Sequence, residues 1–174
     1  MQDLDILNNS YLIIGGPNNK KSEVSRILSK KLNIKLINLD REKHAYFNDF
    51  TDYDFKIYQE KEEKTGKSKA LNYIHKYEMK HLKHILNNLK DIVVIDFGST
   101  YTLIDEEELL NKLKLFKNII LLKKDDINMN DFDRKLSNNK INKLLATIVI
   151  NVDNKTVDNI VDEIINYKEF KDIL

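Results

Sequence analysis

Two glycines, a lysine and a serine near the N-terminus have the types and spacing needed to bind phosphate. From Gly15 to Ser22 the chain matches the pattern G-x-x-x-x-G-K-[ST], with one departure at its second glycine. In such a P-loop, Lys21 would reach the outer phosphates of a nucleotide and Ser22 would ligate magnesium. Backbone N–H groups would face the anion, and the expected nucleotide-binding set is Gly15, Gly16, Asn18, Asn19, Lys20, Lys21 and Ser22.

The departure is Lys20, which stands where the pattern has a glycine. A glycine there lets the backbone turn with positive φ, a conformation that costs other residues roughly 1 kcal/mol or more. Asparagine tolerates left-handed geometry best among the other residues, so we expect Asn18 and Asn19 to take up the strain. The alternative is an ordinary strand, turn and helix with a lysine-rich helix start and no ligand.

The elements that must position this loop predict an α/β fold. Residues 11–14 are a short apolar run typical of a buried strand, and from Ser22 apolar residues recur at helical spacing. Further strands are expected at 34–39, 92–95, 118–122 and 147–152, long helices at 71–89, 105–116 and 156–167, short helical pieces at 41–69 and 141–146, and irregular chain at 123–139. Nearly all-apolar strands alternating with helices indicate a three-layer structure, a parallel sheet between helices.

Three acidic residues and one arginine are further candidates for chemistry. Asp40 and Asp96 each follow a predicted strand, and ligands bind at the carboxyl ends of parallel strands. Glu78 lies on the apolar stripe of a long helix, where a carboxylate is costly unless it is paired or at a site. Arg134 is at the centre of a polar segment. The alternatives are that Asp96 only caps the next turn and that Glu78 lies at an exposed edge of the stripe.

The overall composition excludes several classes of function. The 174 residues carry a formal net charge of +1, which gives no argument for nucleic acid or an acidic membrane as partner. The chain has no cysteine, which excludes disulfides and thiolate chemistry. No apolar run approaches the ~20 residues of a membrane span, and the N-terminus does not resemble a signal peptide. We therefore expect a soluble, cytoplasmic protein with one domain over residues 1–174.

With its parts in this order, the chain resembles the shikimate kinase family of P-loop small-molecule kinases. Besides the loop, the likeness is carried by Leu39-Asp40-Arg41-Glu42, by Ile74-His75 with Glu78, and by Asp96-Phe97-Gly98-Ser99. The final strand and helix, residues 146–165, also look like those of the family. The resemblance implies strand order 2-3-1-4-5, ATP with Mg²⁺, and transfer of the γ-phosphoryl group to a hydroxyl of a small molecule.

The resemblance also implies roles for individual residues. Lys21 would steady the phosphates, Asp40 would orient the acceptor hydroxyl, and Arg134 would stabilise the transferred charge. Metal binding would fall to Ser22 and Asp96. The substrate-binding set would be Asp40, His75, Glu78, Gly98 and Ser99, covered by residues 41–70.

Several departures from the family pattern argue against shikimate as the substrate. Asn38 stands where the family has an aspartate, and His75 stands where it has an arginine that clamps the shikimate carboxylate. A second family arginine has no counterpart in residues 138–143. The lid is shortened to residues 123–145, with Arg134 as its single arginine.

Three hypotheses follow. The first is a P-loop kinase acting on a small molecule other than shikimate. The second is a catalytically impaired relative that binds a nucleotide or a protein partner, which the losses at Lys20, Asn38 and His75 would favour. The third is a module that binds a partner through the aromatic residues of segment 46–58, although such residues more often cover a core.

Overall fold

The structure is a computed structural model that describes residues 4–125 and 127–173, with side chains as far as Tyr167. The strands are β1 Tyr11–Ile14, β2 Lys35–Asn38, β3 Val93–Asp96, β4 Asn118–Lys123 and β5 Ile148–Asn151. The helices are α1 Leu4–Asn9, α2 Lys21–Leu32, α3 Leu39–Phe47, α4 Phe55–Thr65, α5 Lys67–Asn87, α6 Glu107–Leu113, α7 Asp131–Ser137, α8 Lys140–Leu145 and α9 Val157–Ile173. No helix within these residues is long and apolar enough to cross a membrane.

The five strands form one parallel sheet in the order β2-β3-β1-β4-β5. This confirms both the α/β class and the strand order. Asp96 at the end of β3 is opposite Ile13 of β1 and Asn38 of β2. The carboxyl ends of the central strands therefore bring the loop after β1 together with Asn38 and Asp96.

Helices cover both faces of the sheet because alternate residues of β1 point to opposite sides. Leu12 and Ile14 belong to the larger apolar cluster, which includes residues of α5 and α6. Tyr11 and Ile13 belong to a second cluster with residues of α2 and α9. Two separate cores flank the sheet, as expected for a parallel sheet buried on both faces.

The structure corrects three details of the sequence-based assignment. β2 ends one residue early because Asn38 Oδ1 accepts a 2.9 Å hydrogen bond from the Arg41 backbone N–H and caps α3. The segment expected to be irregular contains α7, which Asn130 caps. The first helix of the chain, α1, was not predicted.

The aromatic residues of segment 46–58 mostly cover a core, as such residues more often do. Phe47 and Tyr53 are buried in a cluster with Ile74 and Tyr77 of α5. Tyr77 Oη also donates a 2.8 Å hydrogen bond to the backbone carbonyl of Asp52, which fixes the segment to α5. These contacts account for most of the aromatic residues of the segment, while Phe55 is 41% exposed.

Candidate active site

The loop after β1 has the left-handed turn of a P-loop although its second glycine is missing. Lys20 has φ 67° and ψ 13°, and Asn18 has φ 57°. Our expectation that Asn18 and Asn19 would relieve position 20 is therefore wrong in part. Asn18 does adopt positive φ, Asn19 does not, and Lys20 takes the strain itself. The turn comes directly before α2, so its geometry is needed to start that helix on Lys21.

Side chains of the loop hold this conformation. The Lys20 ammonium donates a 2.6 Å hydrogen bond to the backbone carbonyl of Lys155, which directs that side chain away from the loop interior. The buried Asn19 amide donates a 2.7 Å hydrogen bond to the carbonyl of Leu122 at the end of β4. Gly15, at φ 140°, lies so close to the Asn19 amide and the Leu122 carbonyl that a Cβ on Gly15 would collide with them.

Lys21 lies across the mouth of the loop and is only 8% exposed. Its ammonium donates hydrogen bonds to Gly16 O at 2.6 Å, to Ser99 Oγ at 3.1 Å and to Asn19 Oδ1 at 3.2 Å. Burial lowers the pKa of Lys21 to about 8, although the carboxylates of Asp96 and Asp40 oppose the shift. A buried ammonium at this position is suited to binding a phosphate oxygen.

Ser22, Asn38 and Asp96 form one hydrogen-bonded group beside the loop. Ser22 Oγ and Asn38 Nδ2 both donate to Asp96 Oδ2, each at 2.7 Å. Burial raises the pKa of Asp96, while the Ser22 hydroxyl and the Lys21 ammonium act in the opposite direction. Asp96 thus joins the loop after β1 to the end of β2, which goes beyond capping the turn after its own strand.

A hydroxyl and a carboxylate 2.7 Å apart are oxygen ligands of the kind that Mg²⁺ prefers. Mg²⁺ commonly keeps several waters and takes only one or two protein carboxylates together with substrate phosphates. The described residues contain no group of three or more His, Cys, Asp or Glu side chains that could form a complete metal site. The pair Ser22 and Asp96 therefore fits Mg²⁺ that arrives with a phosphate, not a protein-enclosed ion.

A second network surrounds Asp40 at the start of α3. Lys43 Nζ lies 2.9 Å from Asp40 Oδ1 and 3.2 Å from Glu78 Oε1. Thr100 Oγ1 donates a 2.8 Å hydrogen bond to the same Glu78 oxygen. The backbone at Gly98 packs against Asp40 so closely that a Cβ there would collide with the carboxyl group. The loop after β3 thereby fixes Asp40.

Glu78 is fully buried, so it faces inward and is not at an exposed edge of its helix. Burial works to lower the pKa of Lys43, but the carboxylates of Glu78 and Asp40 outweigh it and raise that pKa. Burial also raises the pKa of Glu78, and the Lys43 ammonium and the Thr100 hydroxyl oppose that shift by stabilising the carboxylate. Lys43 therefore stays charged and compensates Glu78. Glu78 Oε2 has no hydrogen-bond donor among the described residues.

His75 and Arg134 have other partners in this structure. His75 Nε2 lies 3.3 Å from Asp105 Oδ2. Arg134 donates to Asp131 Oδ1 at 3.4 Å and to the Met129 carbonyl at 3.1 Å. One helical turn after Arg134, Ser137 packs against Gly16 so closely that a Cβ on Gly16 would collide with it. Helix α7, in the segment that we expect to act as a lid, therefore rests on the loop after β1.

Three cavities adjoin the loop within the described residues. The smallest, about 140 Å³, is lined by Gly16, Pro17, Asn19, Leu121, Leu122, Lys123, Lys124, Asp125, Met129, Ser137 and Asn138. We call the other two the first and the second cavity. The first, about 240 Å³, is lined by Pro17, Asn18, Asn19, Lys20, Lys21, Ser22, Glu23, Asp40, Asp96, Phe97 and Ser99. The second, about 450 Å³, is lined by Asn18, Lys124, Asp125, Ile127, Asn128, Met129, Asn130, Asp133, Asp153 and Asn154. The first cavity joins the phosphate-binding side chains to Asp40, while the second lies between the loop, the lid and the turn after β5.

Sequence reasoning missed Lys43, Thr100 and Ser137. The signal for Lys43 was its position three residues after Asp40 on a helix, a spacing that allows an ion pair. Its contact with Glu78, 35 residues away, has no such local signal. Thr100 and Ser137 likewise act through contacts between distant segments.

No protein-family model matches the chain, and no curated protein matches it in sequence. Among solved structures, shikimate kinase from Aquifex aeolicus has a TM-score of 0.63 at 21% identity, over 94% of this chain and 98% of that one. A shikimate kinase from Acinetobacter baumannii in complex with shikimate has a TM-score of 0.62 at 11% identity, over 94% of each chain. The YorR protein from Bacillus subtilis, in complex with phosphorylated GDP, has a TM-score of 0.52 at 17% identity, over 95% of this chain and 99% of that one. The protein therefore has the fold of the shikimate kinases and related P-loop kinases.

Proposed function

We propose that this protein binds ATP with Mg²⁺ and transfers the γ-phosphoryl group to a hydroxyl of a small molecule. The observation that carries the proposal is the buried Lys21 ammonium at the mouth of a loop that keeps its left-handed turn at Lys20. Both features are needed to cradle phosphate: the turn aims backbone N–H groups at the anion, and the ammonium compensates its charge.

The donor side of the reaction would use the first cavity. Lys21 would exchange its hydrogen bonds to Gly16 and Ser99 for phosphate oxygens. Ser22 and Asp96 would hold Mg²⁺, which neutralises phosphate charge when bound. Most catalysis of phosphoryl transfer comes from this kind of positioning and charge stabilisation.

The acceptor side would be built around Asp40, which lines the same cavity as Lys21 and Ser22. Its carboxylate would accept a hydrogen bond from the attacking hydroxyl, orient it and take up its proton. Gly98 allows the loop after β3 to approach Asp40 and keep it in position. Arg134 would act from the lid on the transferred charge, a contribution that arginines make in related reactions.

The test is to incubate the protein with ATP, Mg²⁺ and a panel of hydroxylated metabolites, and to detect phosphorylated products by mass spectrometry. We expect at least one phosphorylated acceptor, with the signal lost in Lys21→Ala. Lys20→Met, which leaves Lys21 in place, should retain the product. ATP hydrolysis with no acceptor in a broad panel, or product formation unaffected in Lys21→Ala, would contradict the proposal.

A second candidate is a protein that binds a nucleotide but has little catalytic activity. Two observations favour it. Asn38 offers Asp96 an amide donor and uses its oxygen to cap α3, so it supplies no free oxygen for a metal. Arg134 is held by Asp131 and Met129 within the lid. Nucleotide binding that depends on Lys21, with no product in single-turnover reactions, would support this candidate over the kinase.

A further inference from the structure

The Asp40 end of the first cavity, where the substrate that receives the phosphoryl group would bind, has more hydrogen-bond acceptors than donors. Asp40, whose side chain is 52% exposed, presents a carboxylate to the cavity. Behind Asp40, the Thr100 hydroxyl donates its hydrogen bond to Glu78 Oε1. Glu78 Oε2 has no hydrogen-bond donor among the described residues. Because Asp40 is the member of this group that lines the cavity, a ligand that binds beside it is favoured if it supplies donors of its own.

The group formed by Asp40, Lys43 and Glu78 has two carboxylates and one ammonium. Asp40 and Glu78 share one ammonium, that of Lys43, whose side chain is 13% exposed. Turning this ammonium toward a ligand would leave Glu78 as a buried, uncompensated carboxylate, which is costly. The Lys43 ammonium is therefore needed to compensate Glu78 and does not pair with a ligand. An acidic group of a ligand beside Asp40 would be repelled by the Asp40 carboxylate, and Lys43 would not offset that repulsion.

A histidine near Glu78 on α5 does not relieve this balance. His75 is one helical turn before Glu78, and its ring pairs with Asp105 at 3.3 Å. Lys21, at the other end of the cavity, is directed to Gly16, Asn19 and Ser99 on the phosphate side. Of the two lysines that line this cavity, Lys21 is thus directed to the phosphate side, and Lys20 donates a hydrogen bond to the Lys155 carbonyl. Lys43, beside Asp40, pairs with Glu78.

We propose that the acceptor is a hydroxyl compound without an acidic group, that is, a polyol or an amino alcohol. This inference rests on the proposed function, because it concerns the acceptor side of the same site. The acceptor donates a hydrogen bond from a hydroxyl or ammonium group to Asp40. Acidic acceptors are rejected by the combined charge of Asp40 and Glu78.

The test uses three probes that share a trihydroxycyclohexane ring and differ in one substituent: carboxylate, hydroxymethyl or aminomethyl. Binding to the protein in the presence of ADP and Mg²⁺ is measured by calorimetry. We expect the hydroxymethyl and aminomethyl probes to bind at least ~10-fold more tightly than the carboxylate probe, because like charges repel. Equal or tighter binding of the carboxylate probe, or binding of none of the three, would overturn the inference.

A matched pair of variants identifies the cause of the selectivity. Glu78→Gln removes one negative charge at almost constant volume, so the affinity of the carboxylate probe relative to the hydroxymethyl probe should rise at least ~5-fold. Glu108→Gln, at an exposed glutamate paired with Lys83, should change that ratio less than ~2-fold. Thermal unfolding checks that both variants fold. An unchanged ratio in Glu78→Gln would overturn the role of this charge.

Phosphoryl transfer to the same probes, followed with ATP, separates this inference from the proposed function. Phosphorylation of the carboxylate probe alone would overturn the inference and leave the kinase activity established. Selective binding of the hydroxymethyl or aminomethyl probe without phosphorylation would support the inference and count against kinase activity.

Discussion

The Lys20 ammonium donates a 2.6 Å hydrogen bond to the backbone carbonyl of Lys155, and so ties the P-loop to the turn after β5. The side chain that replaces the P-loop glycine is thereby drawn out of the phosphate-binding interior. Its backbone still adopts the left-handed turn at φ 67°. The substitution therefore adds strain to the loop without blocking it.

This predicts that two substitutions at position 20 change the stability of the protein by different amounts. Lys20→Gly should relieve roughly 1 kcal/mol of left-handed strain while losing a hydrogen bond of similar value, so stability should change by less than ~1 kcal/mol. Lys20→Met keeps the strain and loses the bond, and should destabilise the protein by about 1 kcal/mol. Urea unfolding compares the two. A Lys20→Gly variant much less stable than Lys20→Met would contradict the interpretation.

Adding a carboxylate at position 38 should make the stability of the protein depend on Mg²⁺. In Asn38→Asp, a second carboxylate would face Asp96, because Asn38 Nδ2 lies 2.7 Å from Asp96 Oδ2. We expect a loss of about 1–3 kcal/mol without Mg²⁺, from repulsion between like charges, and recovery when Mg²⁺ is added.

The control for this prediction is Asn38→Ala. It removes the cap of α3 and the bond to Asp96 but adds no charge, so its loss of stability should not respond to Mg²⁺. Thermal unfolding with and without Mg²⁺ measures both variants. An Asn38→Asp protein that is indifferent to Mg²⁺ would argue against metal binding beside Asp96.

Replacing Lys43 should lower the stability of the protein more than most other substitutions around Asp40. Lys43→Met leaves the fully buried Glu78 carboxylate without its cation, and breaking a buried pair in this way costs about 3–5 kcal/mol. Replacing both partners, in Lys43→Met with Glu78→Leu, should recover more than half of the loss. Urea unfolding tests this, and a double variant no more stable than Lys43→Met would contradict the assigned pairing.

Nucleotide affinity should fall as the pH rises through about 8. Burial lowers the pKa of Lys21 to about 8, so its ammonium, the form that pairs with phosphate, is progressively lost above that pH. Binding phosphate favours the charged form, and the affinity can fall by up to about tenfold per pH unit until the pKa of the complex is reached.

Calorimetric titration of ATP with Mg²⁺ between about pH 7 and about pH 9.5 measures this effect. Lys21→Ala should bind weakly and show no such loss over the same range. A flat affinity in the unaltered protein would mean that Lys21 does not pair with phosphate.

The fold was largely predictable from local sequence because each strand is a short apolar run bounded by polar residues or glycine. The strand order came from the resemblance to shikimate kinases and not from periodicity. The start of α3 was missed because Asn38 caps that helix, and nothing in the apolar pattern distinguishes this residue from the end of a strand.

The candidate site was predictable where one motif holds the residues together, as with Lys21 and Ser22. It was not predictable where the partners come from distant segments. The pairing of Lys43 with Glu78 depends on α3 packing against α5, and the approach of Ser137 to Gly16 depends on where the lid helix lies. The expectation that Asn18 and Asn19 would take up the strain of Lys20 was wrong in part. The hydrogen bond that holds the Lys20 side chain goes to the carbonyl of Lys155, 135 residues away, and no local pattern indicates it.

Calorimetric titration of the protein with ATP and Mg²⁺, with Lys21→Ala as the control, tests the central claim most directly. A functional P-loop predicts micromolar binding in the unaltered protein, and loss of the phosphate contacts in Lys21→Ala should weaken it by about tenfold or more. No binding at millimolar nucleotide, or equal binding by Lys21→Ala, would contradict the claim that this loop binds nucleotide phosphates.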